Sequence, residues 1–429
     1  MLETSQVFGV NNEAITSYLW RKEVDGKLKE SMQENKHIII YGSSKQGKSS
    51  SIRKNLNENE FVQINCDINS GTTDIYKSLL RKIGVRFNVV SEETTSRELH
   101  IGLTAKIKTL IAVFGMGEAE ASGDINTQNN KSNTYESIEY NLDIANDVCE
   151  ILKSVNFKKY IVLENFHYLE SEIQNKLAFD LRTFHDNGYK FIIVGIWKDK
   201  NRLIQHNGEL ADRVNEIPVE PWTENDFKEV IKLGCADLNI LIDQKITNQI
   251  IELSFGSIGI VQELCKLYCM YAGIERKVLV FRHLASQEHL EKAIQDKVIQ
   301  YGTRFLRALE DIANSSVTKD GLCMPYYLVC VLVKSTIEEL TQGINRAELT
   351  DRLTKLHHQT TLAAGHITYL LHHLTVLQCR KNISPPIFDY DRENRIIRVI
   401  DPTLLYYLNF SSGEEIMEEI VDPRIGSIS

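Results

Sequence analysis

One octapeptide constrains this chain more than any other feature. Gly42-Ser43-Ser44-Lys45-Gln46-Gly47-Lys48-Ser49 directly follows an apolar, strand-like run, His37–Tyr41, and opens a helical pattern over Ser49–Leu56. A strand, a loop bounded by two glycines and a helix, in that order, let backbone N–H groups wrap a phosphate while the helix N-terminus adds partial positive charge. Lys48 is then placed to reach the β- and γ-phosphates. The Ser49 hydroxyl is placed for Mg2+, a cation that takes oxygen ligands and shares them with a nucleotide. Gly42 to Ser49, with Ser50 adjoining, is the expected cofactor-binding stretch, and ATP or ADP with Mg2+ is its expected ligand.

Such a loop needs a parallel sheet behind it, and the first half of the chain supplies the pattern. Short, mostly β-branched runs recur at His37–Tyr41, Phe61–Cys66, Tyr160–Leu163, Phe191–Ile196 and Val214–Val219, alternating with helical segments. Runs that are apolar throughout, and not at every second position, belong to strands covered on both faces. The expected fold class is therefore α/β, a parallel sheet core with helices on each side.

At 429 residues the chain is too long for one core, and roughly 150 residues per domain suggests about three. Residues 1–222 are expected to form the nucleotide-binding core, interrupted at 117–135 by a Gly-, Ser- and Asn-rich loop or disordered insertion. The amphipathic stretch Ile101–Phe114 before it reads as a surface helix or hairpin docked on the core. Residues 223–300 read as wholly helical, with Thr223 as N-cap and Asp226 three residues on. Gly256-Ser257-Ile258-Gly259 breaks that region before a helix over Ile260–Ala272.

Within 301–410, helices over Asn345–Leu356 and Ala363–Val376 precede two strand-like runs, Ile383–Tyr390 and Arg395–Ile400, around the polar turn Asp391–Asn394. Asp401-Pro402 then opens a short helix to Leu408. Two helices followed by a hairpin read as a winged helix. The acidic segment 411–429 reads as a mobile tail.

Charge and composition narrow the function classes. A net charge of -9 excludes coating nucleic acid through the overall field, so any DNA contact has to be local. The local candidates are Arg346, Arg352, Lys355, His357 and His358 on one helix and its turn, and His366, His372 and His373 on the next. They form either a DNA-reading surface or the solvated face of a protein-docking wing. The longest apolar stretches, Leu110–Phe114 and Tyr326–Val333, are far short of the roughly 20 residues that span a bilayer. No signal-peptide pattern opens the chain, and the eight cysteines sit among apolar residues without a CxxC pair. A cytoplasmic protein with reduced core cysteines is expected.

Four further residues carry candidate chemistry. The strand Tyr160–Leu163 ends in Glu164-Asn165-Phe166-His167, where an acidic residue is needed to hold the magnesium shell, and Glu164 fills that place. Asn165 stands where a base would activate the attacking water, and an amide can orient water without accepting its proton. His167 is either a substitute base or polar sensor, or a hydrogen-bonded structural histidine at a strand-to-helix corner. Lys198 and Asn201 both follow the Phe191–Ile196 strand, where a γ-phosphate sensor is expected, and Trp197 between them reads as packing. Arg213, before the last strand, is either a finger reaching into a neighbouring subunit or an ion-pair partner of Asp212 or Glu209.

These residues resemble the AAA+/STAND branch of P-loop ATPases over roughly Tyr18 to Phe410. The carriers are residues 41–49, the run Leu-Glu-Asn-Phe-His-Tyr-Leu at 163–169, and Asp212-Arg213 before a strand. The resemblance implies an αβα core, a helical lid from Thr223, a C-terminal winged helix, and an adenine pocket near Tyr18, Arg21 and Val24. Gly256-Ser257-Ile258-Gly259-Ile260-Val261 looks like the lid motif of transposition-type AAA+ ATPases but lacks the arginine of a second sensor. The resulting expectation is a bacterial ATP-binding switch with slow or partner-stimulated hydrolysis, working as a homo-oligomer or with a partner protein in signalling or anti-phage defence. The alternative is a DNA-loaded ATPase of the replication-initiation or transposition kind.

Overall fold

The computed structural model describes residues 1–11, 15–85, 109–110, 139–198, 200–316, 322–358 and 362–423. The insertion expected at 117–135 and nearly all of 101–114 lie outside them. The chain starts with a short helix, α1 (Thr4–Val7), then α2 (Lys27–Gln33), β1 (His37–Tyr41), α3 (Lys48–Asn55), β2 (Phe61–Asn65) and α4 (Thr72–Lys82). A two-residue antiparallel pair follows, β3 (Thr109–Leu110) with β4 (Glu139–Tyr140). Next come α5 (Ala145–Ser154), β5 (Tyr160–Glu164), α6 (Ser171–Asp186), β6 (Phe191–Gly195) and β7 (Val214–Pro218).

β1, β2, β5, β6 and β7 form one parallel sheet of order β2-β5-β6-β1-β7. Its two faces follow from the alternation of side chains along a strand. Ile39, Tyr41, Ile64, Leu163 and Ile193 pack with residues of α4, α5 and α6, while Ile38, Ile40, Val162, Ile192 and Val194 pack with Leu28 of α2 and Ile52 of α3. The expected α/β core of three layers is therefore present. Because all five strands run one way, the ends that carry Gly42, Glu164 and Gly195 share one edge, where open α/β sheets bind ligands.

The next region contains α7 (Glu224–Leu238), β8 (Ile240–Ile242), α8 (Gln244–Glu252), α9 (Ile258–Tyr271) and β9 (Arg282–Leu284). Thr223 and Asp226 cap α7 reciprocally, at 3.1 and 2.9 Å. The region is not wholly helical, since β8 and β9 pair in parallel. Nor does the chain start in the nucleotide-binding core: Thr4 donates to the carbonyls of Glu275 and Ile274, and Val7 and Phe8 are buried among residues of α7 and α9. Gly234 makes room for Phe8, because a Cβ there would stand 2.2 Å from the ring.

α10 (Gln287–Ala313) is one 27-residue helix that runs through the boundary expected at 300/301. After it come α11 (Met324–Val333), α12 (Ile337–Gln342), β10 (Ile344–Asn345), α13 (Arg346–Leu356), α14 (Ala364–Arg380), β11 (Phe388–Asp391), β12 (Ile396–Val399), α15 (Pro402–Asn409) and α16 (Gly413–Glu419). β10, β12 and β11 form an antiparallel sheet in that order. The segment expected to trail as a tail from 411 instead holds α16, with Ile416 and Ile420 buried and the helix packed on α11. Two isoleucines among its acids supply the apolar stripe that composition alone hides. One continuous apolar cluster joins this region to α7–α9 and takes in Val7, Phe8 and Trp222, so the molecule has two units, the sheet core and the region from Trp222 on together with α1.

Candidate functional site

The phosphate-binding loop is held open by its glycines. Gly42 has φ +151° and Gly47 φ +85°, and a Cβ on Gly42 would lie 2.6 Å from the Val219 side chain. Lys48, the first residue of α3, donates to the carbonyls of Gly42 at 2.9 Å and Ser43 at 2.5 Å. Burial pushes its ammonium down to about 8, against the pull of Glu220 and Glu164. Lys45 is left-handed at φ +58°, which turns its backbone toward α9. There Gly259 leaves no space for a side chain, since a Cβ would stand 2.6 Å from Lys45 Cβ and 2.9 Å from its carbonyl oxygen.

The loop borders an open cavity of about 210 Å3 lined by Lys45 to Ser51, by Tyr18 and Arg21, and by Trp222, Ile258 and Gln262 from the second unit. Tyr18 and Arg21, expected near an adenine, both line this cavity. Val24 does not, being buried in the apolar layer beneath. Arg21 lies over the Trp222 ring at 3.6 Å and donates to the Val219 carbonyl at 3.0 Å.

Several residues here escaped the reading of the sequence. Asp25, fully buried, accepts from the Tyr18 hydroxyl, from Arg21 N at 2.7 Å, from Ser51 at 3.0 Å and from Asn55 at 2.6 Å, and so ties the pocket wall to α3. Glu220, just past β7, accepts from Ser43 N and, at 3.1 Å, from the Gln46 amide. Gln46 in turn donates to Gly256 O and accepts from Ile258 N, each at 3.4 Å. Apart from the bonds of Tyr18 and Arg21 to Asp25, each contact spans at least 26 residues of sequence, so no local pattern announces it.

Glu164 ends β5 and is buried beside the loop. Burial raises its pKa, while a hydrogen bond from Ser49 and the charges of Lys48 and Arg53 oppose the shift. A carboxylate and a hydroxyl brought together from the end of β5 and the start of α3 are the hard oxygen donors that suit Mg2+. Asn165 is left-handed, at φ +60° and ψ +33°, a conformation that asparagine tolerates far better than glutamate. The backbone alone therefore favours an amide at the place where a base was sought.

His167 contradicts the expectation of a hydrogen-bonded corner histidine. It is 3% exposed, neither ring nitrogen has a partner, and it lines a different cavity from the loop. Burial, then the charges of Lys48 and Arg202, push its pKa well down, so the ring is neutral. Lys198 lines a cleft with Tyr41, Gly42 and Glu220, whereas Asn201 turns away to the Glu216 carboxylate through its backbone N, at 3.0 Å. Trp197 is packing, stacked on Tyr41 and edge-on to Phe166.

Arg213 sits at the opposite edge of the sheet, its carbonyl accepting from His37 N. Its guanidinium bonds the Glu209 carbonyl at 2.7 Å and lies 3.6 Å from Asp186, not the carboxylates of Asp212 or Glu209.

The basic residues of the C-terminal region are largely engaged. Arg352 pairs with Glu339 and Glu348, Lys355 with Asp351 at 2.6 Å, and Arg346 donates to Thr368 at 2.6 Å. His357 is buried, and His358 meets the Tyr327 hydroxyl at 2.9 Å. α14 is docked on the sheet core, where Arg380 pairs with Glu170 at 3.1 Å and Asp389 of β11 with Arg202 at 3.0 Å. No helix among the described residues is long and apolar enough to cross a membrane.

No protein-family model and no curated protein matches the chain. Among solved structures, the Walker-type ATPase PABY2304 of Pyrococcus abyssi is similar at 15% identity and a TM-score of 0.53, over 94% of this chain and 99% of that one. The Orc1 protein of Aeropyrum pernix, solved in complex with DNA, aligns at 12% identity and a TM-score of 0.46, over 100% of this chain and 98% of that one; at that score it carries no argument. The first likeness supports the fold along nearly the whole chain: an α/β core with a five-stranded parallel sheet, followed by a mainly helical C-terminal half.

Proposed function

We propose that this chain is an ATP-binding molecular switch with slow or partner-stimulated hydrolysis. The observation that carries the reading is that the phosphate-binding loop touches both units at once. Gln46 reaches Gly256 and Ile258 of the lid, Lys45 abuts Gly259, and Ser44 N donates to Ile400 O of the C-terminal region at 3.4 Å. A triphosphate that draws the loop's N–H groups onto its oxygens alters the same short segment that holds lid and C-terminal region in place.

Lys48 and the loop amides would bind the phosphates, and Tyr18, Arg21 and Trp222 would seat the base. Ser49 and Glu164 would hold Mg2+, which would neutralise charge on the bound phosphates. Asn165 supplies no base, and His167 faces elsewhere, so the chain's own residues favour holding the nucleotide over cleaving it. Arg213, a strand's length from its own loop, would act only on a neighbouring subunit. The engaged cations and docked α14 weigh against DNA loading in this conformation, although β10, β12, β11 and the helices before them have the order of a winged helix.

Limited proteolysis with ATP, with ADP and without nucleotide tests the switch. ATP-specific protection that vanishes in Lys48→Ala is expected; a cleavage pattern indifferent to nucleotide would sink it. Phosphate release measured against protein concentration tests the partner's part, since a finger supplied by a neighbour makes the specific rate rise with concentration.

A further inference from the structure

A second cavity, small at about 110 Å3, lies between the two units. The sheet core contributes the turn after β5 and the loop with Arg202 and His206. The C-terminal region contributes α14 and the turn after β11. It shares no lining residue with the nucleotide cavity.

Its polar inventory is lopsided. The acids on its wall are already satisfied: Asp389 by Arg202 at 3.0 Å and Thr375 at 3.4 Å, Asp391 by the N–H groups of Glu393 and Asn394 at 2.9 and 3.0 Å. Unspent capacity remains on the basic side. Arg392, exposed on its turn, bonds the His372 carbonyl at 2.9 Å and pairs with no carboxylate among the described residues. His167 is the anomaly. His37, equally buried, bonds Leu181 O at 2.8 Å and accepts from Phe191 N at 3.1 Å, whereas His167 has neither bond. A buried ring with an unmet donor and an unmet acceptor is destabilising unless a ligand or water completes it.

We propose that this interdomain cavity is a second binding site, for a small phosphate-type anion, inorganic phosphate or pyrophosphate. Arg392 and Arg202 supply the charge, and His167, His206 and His372 supply directional donors. The positive field is visible in the histidines themselves: burial first, then Arg202 and Arg392, hold His206 down, and burial with Arg392, Arg346 and His373 does the same to His372. A bound anion cancels that repulsion. A metal does not compete for the site, because no cluster of three or more His, Cys, Asp or Glu side chains suited to a cation occurs among the described residues.

The test uses the full chain carrying Lys48→Ala, which weakens phosphate binding at the loop, titrated with inorganic pyrophosphate by calorimetry. One site per chain is expected, weakened about tenfold or more when Arg392→Ala is added, and likewise by His372→Gln. AMP, too large for the cavity, should bind more weakly than pyrophosphate. Absence of binding in Lys48→Ala, or binding that Arg392→Ala leaves unchanged, overturns the proposal and means that water fills the cavity. AMP binding as tight as pyrophosphate overturns the size assignment. ATP binding to the unmodified chain is a separate titration, so failure at one site does not read as failure at the other.

Discussion

The nucleotide cavity and the interdomain cavity both lie near Lys48 yet are built in opposite ways. The first takes its chemistry from seven consecutive residues, Lys45 to Ser51, whose loop geometry is set by two glycines and the start of a helix. The second assembles side chains scattered from His167 to Arg392, between the sheet core and the C-terminal region. A local loop keeps its function wherever it is carried, whereas a cavity between units is gained and lost with their docking. If the chain is a switch, the second cavity is the element that responds.

The comparison can be broken most directly at Lys48. Lys48→Ala should lower ATP affinity about a hundredfold, the scale of a lost charge-assisted contact, while pyrophosphate binding between the units persists; calorimetry on the one variant reads both. Loss of both together would overturn the second site.

Arg202→Ala attacks the other side. It leaves the buried Asp389 carboxylate without its guanidinium, which should cost about 2–3 kcal/mol in urea unfolding, discounted from the deeper-buried case because Arg202 is partly exposed. It should also speed proteolysis between the units while leaving ATP affinity near that of the unmodified chain. An unchanged proteolytic rate would show that Arg202–Asp389 does not hold the docking.

The pH dependence of ATP binding sharpens the contrast further. Lys48 titrates near 8 in the free protein because burial disfavours its charge, and a bound phosphate raises that value by favouring the ammonium. Affinity should therefore be level below pH 8 and fall by up to about tenfold per unit above it. A profile flat to pH 10 would contradict the ammonium's role.

The smallest effect is expected at Asn165. Its left-handed backbone suits glycine, so Asn165→Gly should change stability by only about 0.5 kcal/mol, whereas Asn165→Glu should cost about 1–2 kcal/mol. Thermal unfolding of the two variants reads the difference, and equal stability would remove the backbone explanation for the amide.

Much of the sheet core was legible because its signals are short-range. β1, β2, β5, β6 and β7 appeared as β-branched runs to within a residue or two, and the helix cap at Thr223 followed from four adjacent residues. What stayed hidden depended on partners far along the chain. Glu220 meets Ser43 across 177 residues, and Thr4 meets Ile274 across 270. The acidic composition of 411–423 concealed two buried isoleucines, and the cations of α13 suggested a free basic face because Glu339 is absent from any local window around Arg352.

Sequence alone determined that a strand, a glycine-bounded loop and a helix would present Lys48 and Ser49 to a phosphate, since backbone conformation and side-chain type at consecutive positions suffice for that. Tertiary structure decided that the N-terminus joins the lid, that α14 lies on the sheet core, that His167 faces away from the loop, and that a second cavity exists. Those outcomes rest on burial and ion pairing between segments brought together only by folding, and their energies have no counterpart in the order of residues along the chain.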